Sequence, residues 1–215
     1  TSRNRLLATV AWQLGGQRSY ALEGSVFVAG SLIQWLRDGL GLLSSSSESE
    51  SLARSVPDSA NVYLVPALSG LGAPWWQPQA RASISGLSFA SGRAHIVRAA
   101  LEAQALQTHD LKTAFAADGQ DWTRLRIDGG MAANDWIAQD LADMLALEVE
   151  RPDFVETTAV GAAMLAGVGA GTYPSLEAAA RAMRGLTRRF TPQLDAGARE
   201  ARLAGWREAV RRVVE

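Results

Sequence analysis

Apolar and polar positions change period several times along the chain, and each change predicts a new element. Residues 6–14 read as a strand, Gly15-Gly16 as a tight turn, and 17–22 as the antiparallel partner, which predicts a hairpin. From 25 to 43 the apolar residues Val26, Ala29, Ile33, Leu36 and Leu40 recur at intervals of three and four. That spacing predicts an amphipathic helix with Gly30 and Gln34 one turn apart on its flank. The serine and glutamate run at 44–51 reads as a solvated loop.

A short apolar strand is expected over 61–68, followed by a loop over 69–79 that carries two prolines and two glycines. Trp75-Trp76 in that loop are expected to plug its underside rather than to stack on a ligand. A strand over 81–87 and an alanine-rich helix over 93–117 follow. Glu102, Gln104 and Gln107 lie within that helix, where interior hydrogen bonds explain them as well as catalysis does. The stretch 126–136 is a strand that ends in Gly129-Gly130 and turns into a helix. A glycine pair there permits a sharp bend and close approach by a flat ligand, while the helix amides point back at the same place. On these residues alone the pair fits an ordinary turn as well as a nucleotide site.

In that helix Ala133, Trp136, Ile137, Leu141, Met144 and Leu145 form the buried stripe, and Asp140 falls on it, so its carboxylate needs a partner or a place at the stripe's edge. Residues 147–151 predict a strand stopped by Pro152. The small-residue helix at 157–171 is suited to close contact with a sheet, and 174–183 and 196–214 predict two closing helices. Six or seven strands interleaved with about six helices, without a long linker, predict one α/β domain over residues 1–215.

Composition narrows the function classes. Hydrophobic residues make up 47% and charged residues 20%, with a net charge of −1, which gives no electrostatic reason to expect nucleic acid or a membrane as partner. The chain has no cysteine and two histidines, His95 and His109, which excludes a disulfide scaffold and a thiolate metal site and fits a cytoplasmic protein. Lys112 is the sole lysine, so lysine chemistry is confined to it. The start, Thr1-Ser2-Arg3, lacks an initiator methionine and is unlike a signal peptide, from which a cut out of a longer protein is expected.

Four motifs in order carry a family resemblance. Gly72-Ala73-Pro74-Trp75-Trp76-Gln77-Pro78, then Arg81 and Ile84-Ser85-Gly86-Leu87, resembles a loop and strand of the glycerol kinases. Gly86-Leu87 with His95-Ile96 and Ala99-Ala100-Leu101-Glu102 is similar to a pattern of the wider FGGY family of carbohydrate kinases. Asp128-Gly129-Gly130 with Asn134 resembles that family's adenosine motif, and Gly161-Ala162-Ala163 with Leu165-Ala166-Gly167 its next helix. The resemblance implies a ribonuclease H-like domain of the actin, hexokinase and heat-shock ATPase superfamily, a central mixed sheet flanked by helices. It implies ATP with Mg²⁺ as cofactors, and transfer of the γ-phosphoryl group to glycerol in the full-length protein.

By position, Gly130 and Asn134 match contacts to the adenosine end of ATP or ADP, and Gly30 and Gln34 match a second pair on the opposite wall. Catalytic and glycerol-contacting residues are expected in an N-terminal domain outside this chain, no metal-binding residue is expected within the chain, and the chain alone is expected to be inactive. A homo-oligomer is left open. Asp140 departs from the family, which commonly has an apolar residue there. The serine-rich segment at 44–51 and the residues after Pro192 differ from the enterobacterial type, so regulation by a phosphotransferase-system protein does not carry over. Two other readings stand beside this one. A xylulokinase-like pentulose kinase is disfavoured because its loop usually reads Gly-Glu-Arg-Thr-Pro where this chain has Gly70-Leu71-Gly72-Ala73-Pro74. A non-catalytic nucleotide-binding scaffold of the same fold is the other.

Overall fold

In the computed structural model, which describes residues 2–215, the chain is built around one long helix, α3 (Arg93–Ala117). Before it come the hairpin β1 (Leu7–Leu14) and β2 (Gln17–Glu23), helices α1 (Gly30–Asp38) and α2 (Glu48–Arg54), and the short strands β3 (Tyr63–Val65) and β4 (Ser83–Ser85). After it come β5 (Arg124–Arg126), a 3₁₀ turn (Gly130–Ala133), α4 (Asp135–Leu145) and β6 (Glu148–Pro152). The chain closes with α5 (Thr157–Gly169), α6 (Leu176–Ala182), β7 (Thr187–Phe190) and α7 (Ala196–Val214). The strands lie in three small sheets: β1-β2 and β3-β4, both antiparallel, and a mixed sheet in which β6 runs parallel to β5 and antiparallel to β7. Among the described residues no helix is long and apolar enough to cross a membrane.

Several boundaries follow from local chemistry. Gly15 and Gly16 both adopt positive φ, as a two-residue turn between twisted strands requires. Helix α1 is shorter than its periodicity predicts, because its last turn runs into Gly39 and Gly41. The serine run predicted as loop contains α2. Acidic Glu48 and Glu50 favour its amino end, Arg54 pairs with Glu50 one turn on, and Ala53 is fully buried. Strand β7 is an element that the sequence reading does not include. Its sequence, Thr-Arg-Arg-Phe, has one apolar residue to show, and that residue, Phe190, is buried opposite Val149.

The core lies where α3, α4 and α7 meet β3, with Val97, Leu101, Leu106, Leu64, Val65, Met144, Leu145 and Trp206 fully buried. A charged knot crosses it. Arg202 of α7 grips Asp140 of α4 through two hydrogen bonds of 2.7 and 3.0 Å and lies 3.8 Å from Glu102 of α3. Glu102 is also held by Arg98, which donates to the carbonyls of Ala53 and Val56 and lies over the Trp136 ring. Asp140 therefore has the partner its place on the stripe demands. Desolvation pushes its carboxyl above the ordinary carboxylate range, and against desolvation the Asp140 charge holds Arg202 above its usual value.

Asp110 of α3 accepts hydrogen bonds from Trp206 Nε1 at 2.8 Å and Trp75 Nε1 at 3.3 Å. Trp76 donates to the Arg5 carbonyl and meets Phe27 edge to face, so the paired tryptophans are spent on packing their own loop. At the far end of α4, Ala146 turns left-handed and Lys112 Nζ donates to the Leu145 carbonyl at 2.6 Å.

The small-residue helix α5 departs from its expected role. None of its residues is buried, and it stands off the mixed sheet across a 670 Å³ cavity whose walls include Val160 and Met164 on one side and Arg126 and Glu150 on the other. The hairpin is equally open, with Leu7, Val10, Trp12, Leu14 and Tyr20 all exposed.

Candidate functional site

The glycine pair after β5 divides its work between two residues. Gly129 has φ of +81°, a conformation that side chains rarely adopt, and its amide is bonded to the Val155 carbonyl at 2.8 Å. Gly130 has no such conformation, and a Cβ built on it would meet nothing within 4 Å. Glycine at 129 is thus explained by the backbone, whereas at 130 neither backbone nor neighbours call for it. The space above Gly130 is open to a ligand. Between this pair and α4 the chain makes a 3₁₀ turn rather than entering the helix directly, closed by Ala132 N to Gly129 O at 3.0 Å and Asn134 N to Met131 O at 3.1 Å.

Asn134 ends that turn and caps α4. Its Oδ1 accepts from the Ile137 amide at 3.1 Å, which satisfies one of the free donors of the first turn. The cap fixes the side chain with its oxygen turned inward to the helix, which leaves Nδ2 as the group available to an incoming acceptor. Gly130 is exposed and Asn134 half-buried.

The second wall is the start of α1. Gly30 opens that helix, and a Cβ on it would lie 3.4 Å from Met131 Cγ and Sδ, so the 3₁₀ turn and the start of α1 are neighbours across Met131. Gln34, one turn on, is exposed. Helix α1 has no side-chain cap at Ala29, which leaves its first amides free of side-chain partners. The four residues expected from the sequence thus lie on two neighbouring elements. Beside them, Val26, Ala29, Gln104, Gln107, Asp128 and Met131 are among the residues lining a 190 Å³ cavity, but none of the four lines it. Gln104 and Gln107 each spend their amide nitrogen on the carbonyl four residues back, at 3.5 and 3.3 Å, as interior polar groups do.

Three residues around the turn escaped the sequence reading. Met131 is the contact between the walls. Asp135, the first residue of α4, pairs with Arg151 at 2.9 Å and accepts from Arg188 at 2.6 Å. Desolvation works upward on its carboxyl, and the Arg151 hydrogen bond with the charges of Arg188 and Arg151 outweighs it, holding the group below its ordinary value. Arg151 also donates to the Ala132 carbonyl. An acidic residue just past a cap was a legible signal; its two arginine partners, 16 and 53 residues downstream, were not. Among the described residues no three Asp, Glu or His side chains come together as a metal cage.

Residues 5–170 match the model of the FGGY family of carbohydrate kinases, C-terminal domain. A glycerol kinase of Rhodospirillum centenum is 53% identical over 211 residues, which is 98% of this chain and 42% of that protein. One of Methylobacterium nodulans is 54% identical, over 97% of this chain and again 42% of the relative. Among solved structures, Plasmodium falciparum glycerol kinase with ADP superposes with a TM-score of 0.87 at 34% identity, covering 100% of this chain and 43% of that one. Xylulose kinase of Rhodospirillum rubrum shares the fold at a TM-score of 0.77 and 24% identity, over 96% of this chain and 41% of its own. The chain thus spans under half the length of the relatives it matches.

Proposed function

Because the chain belongs to the FGGY family of carbohydrate kinases, we propose that residues 1–215 form the C-terminal nucleotide-binding domain of an ATP-dependent glycerol kinase. The observation that carries the reading is Gly130, a glycine that the fold does not need, in the same turn as the free amide nitrogen of Asn134 and next to Met131, which meets the start of α1. A nucleotide fits these features. Gly130 admits a flat ring or ribose to the backbone, Asn134 Nδ2 donates to it, and Gly30 and Gln34 meet it from α1. The fragment's contribution is to hold and orient ATP or ADP. The groups that hold glycerol and take its proton belong to the part of the protein that this chain does not include, and Mg²⁺ would come with the nucleotide. Phosphoryl transfer depends on both walls of the cleft being positioned together.

Two measurements test the reading. The purified 215-residue chain is expected to show no ATP-dependent phosphorylation of glycerol, and measurable turnover would overturn that part. In the full-length protein, Asn134→Asp keeps an acceptor for the Ile137 amide but removes the donor, and is expected to raise the apparent ATP constant about tenfold, equivalent to about 1.4 kcal/mol, with the glycerol constant unchanged. A rise in the glycerol constant instead would move the site elsewhere. A pentulose kinase is the second reading, favoured only by the shared fold, and a screen of glycerol against pentuloses on the full-length protein separates the two.

A further inference from the structure

We infer that Arg151 is a positioning residue for the nucleotide wall: from β6 it fixes the 3₁₀ turn that carries Gly130 and Asn134. The inference rests on the nucleotide-binding reading above. A single atom of Arg151, Nη1, donates to the Ala132 carbonyl at 2.7 Å inside the turn and forms an ion pair with Asp135 Oδ1 at 2.9 Å on the first residue of α4. Asn134 lies between those two points, so both of its flanks are tied to one guanidinium. The guanidinium is itself held. Its side chain is only 15% exposed, and its central carbon lies 5.4 Å from the centroid of the Phe190 ring, which is buried in β7. Arg188, also over that ring at 5.0 Å, takes the other oxygen of Asp135 at 2.6 Å.

Without Arg151 the turn keeps Gly129 N to Val155 O and its own closing bonds, so it still forms. What it loses is its anchor in the mixed sheet. The Ala132 carbonyl sits in a buried residue and is left without this charged donor, and Asp135 keeps only the more exposed Arg188. A ligand that reads Asn134 and Gly130 needs them within a fraction of an ångström, and a supporting shell left loose costs binding even when every contact residue is present. Because one nitrogen makes both the hydrogen bond and the ion pair, a lysine ammonium can reproduce them in part while giving up the stack on Phe190.

The test uses the full-length protein, with Arg151→Met, Arg151→Lys and Asn134→Asp measured side by side for the ATP and glycerol constants, turnover and melting temperature. Arg151→Met is expected to raise the ATP constant about tenfold and to leave the glycerol constant unchanged, with Arg151→Lys recovering most of the loss. Amide exchange at residues 129–134 is expected to quicken in the Met variant and to return toward normal in the Lys variant. A lower melting temperature with an unchanged ATP constant would overturn the inference, as would an equal rise in both constants, because either is what a merely structural arginine would give. If Arg151→Met fails to fold, Asp135→Asn removes half the clamp, and an unchanged ATP constant there overturns it as well. When Asn134→Asp raises the ATP constant and Arg151→Met does not, the inference alone fails. When neither does, the nucleotide reading and the inference fall together.

Discussion

The long helix α3 and the hairpin β1-β2 are both rich in apolar residues, yet one runs through the core and the other lies open. Along α3, Val97, Ala99, Ala100, Leu101, Ala103, Ala105 and Leu106 are shut in by α4, α7 and β3, and the charges that enter with them, Glu102 and Asp110, have partners there. Along the hairpin, Val10, Trp12 and Tyr20 find no cover among the described residues. The difference teaches that apolar content tells where a surface wants to go, not whether its partner lies within these 215 residues. Stability here is expected to reside around α3, whereas the hairpin and α5 present surface.

The sharpest way to break that contrast is in the charged knot. Arg202→Met leaves the Asp140 and Glu102 carboxylates buried with Arg98 as their nearest cation, and about 3 kcal/mol of stability is expected to go, read from urea unfolding above neutral pH. A loss under 1 kcal/mol would show that the knot is hydrated and that α3 owes its stability to packing alone.

Next in size is a pH effect. Desolvation drives the Asp110 carboxyl to about 6, against the hydrogen bonds from Trp206 and Trp75. The folded chain therefore keeps a proton that the unfolded chain releases from about pH 4 upward, and stability from this group falls as pH rises from there through 6. Asp110→Asn is expected to reduce the slope by about 2 to 3 kcal/mol across the interval, in melts taken between pH 4 and 7, and to leave the part that the buried Asp140 carboxyl contributes. An identical slope in the variant would assign it to another group.

The smallest effect belongs to the hairpin. Trp12→Ser removes a half-exposed side chain and is expected to change the stability of the chain by less than about 0.5 kcal/mol in urea unfolding. A loss of several times that size would mean that the hairpin is cooperative with the core and would close the contrast.

Much of this was legible in the sequence. Helices α3 and α7 have the predicted bounds because long alanine- and arginine-rich stretches of good helix formers set them, and the hairpin fell within a residue because Gly15-Gly16 admits little else. Asp140 announced its need for a partner, but which arginine would come, 62 residues on, is a matter of packing. Helix α2 was hidden by its serines, whose local preference is for turns until Ala53 is drawn into the core. At the candidate site Gly30, Gln34, Gly130 and Asn134 could be named from motif position. The clamp made by Arg151 could not, because it depends on where β6 delivers its side chains.

The one lysine has a practical consequence. Lys112 closes the end of α4 opposite the glycine turn by donating to Leu145, and burial with the nearby Arg199 charge holds its amine below the usual value. Apart from the terminal α-amine, an acylating reagent finds a single amine in the whole chain. Its rate of attack measures how often the distal end of α4 lets go of α3, so one label, placed without mutagenesis, reports on the rigidity of the helix that begins at Asn134.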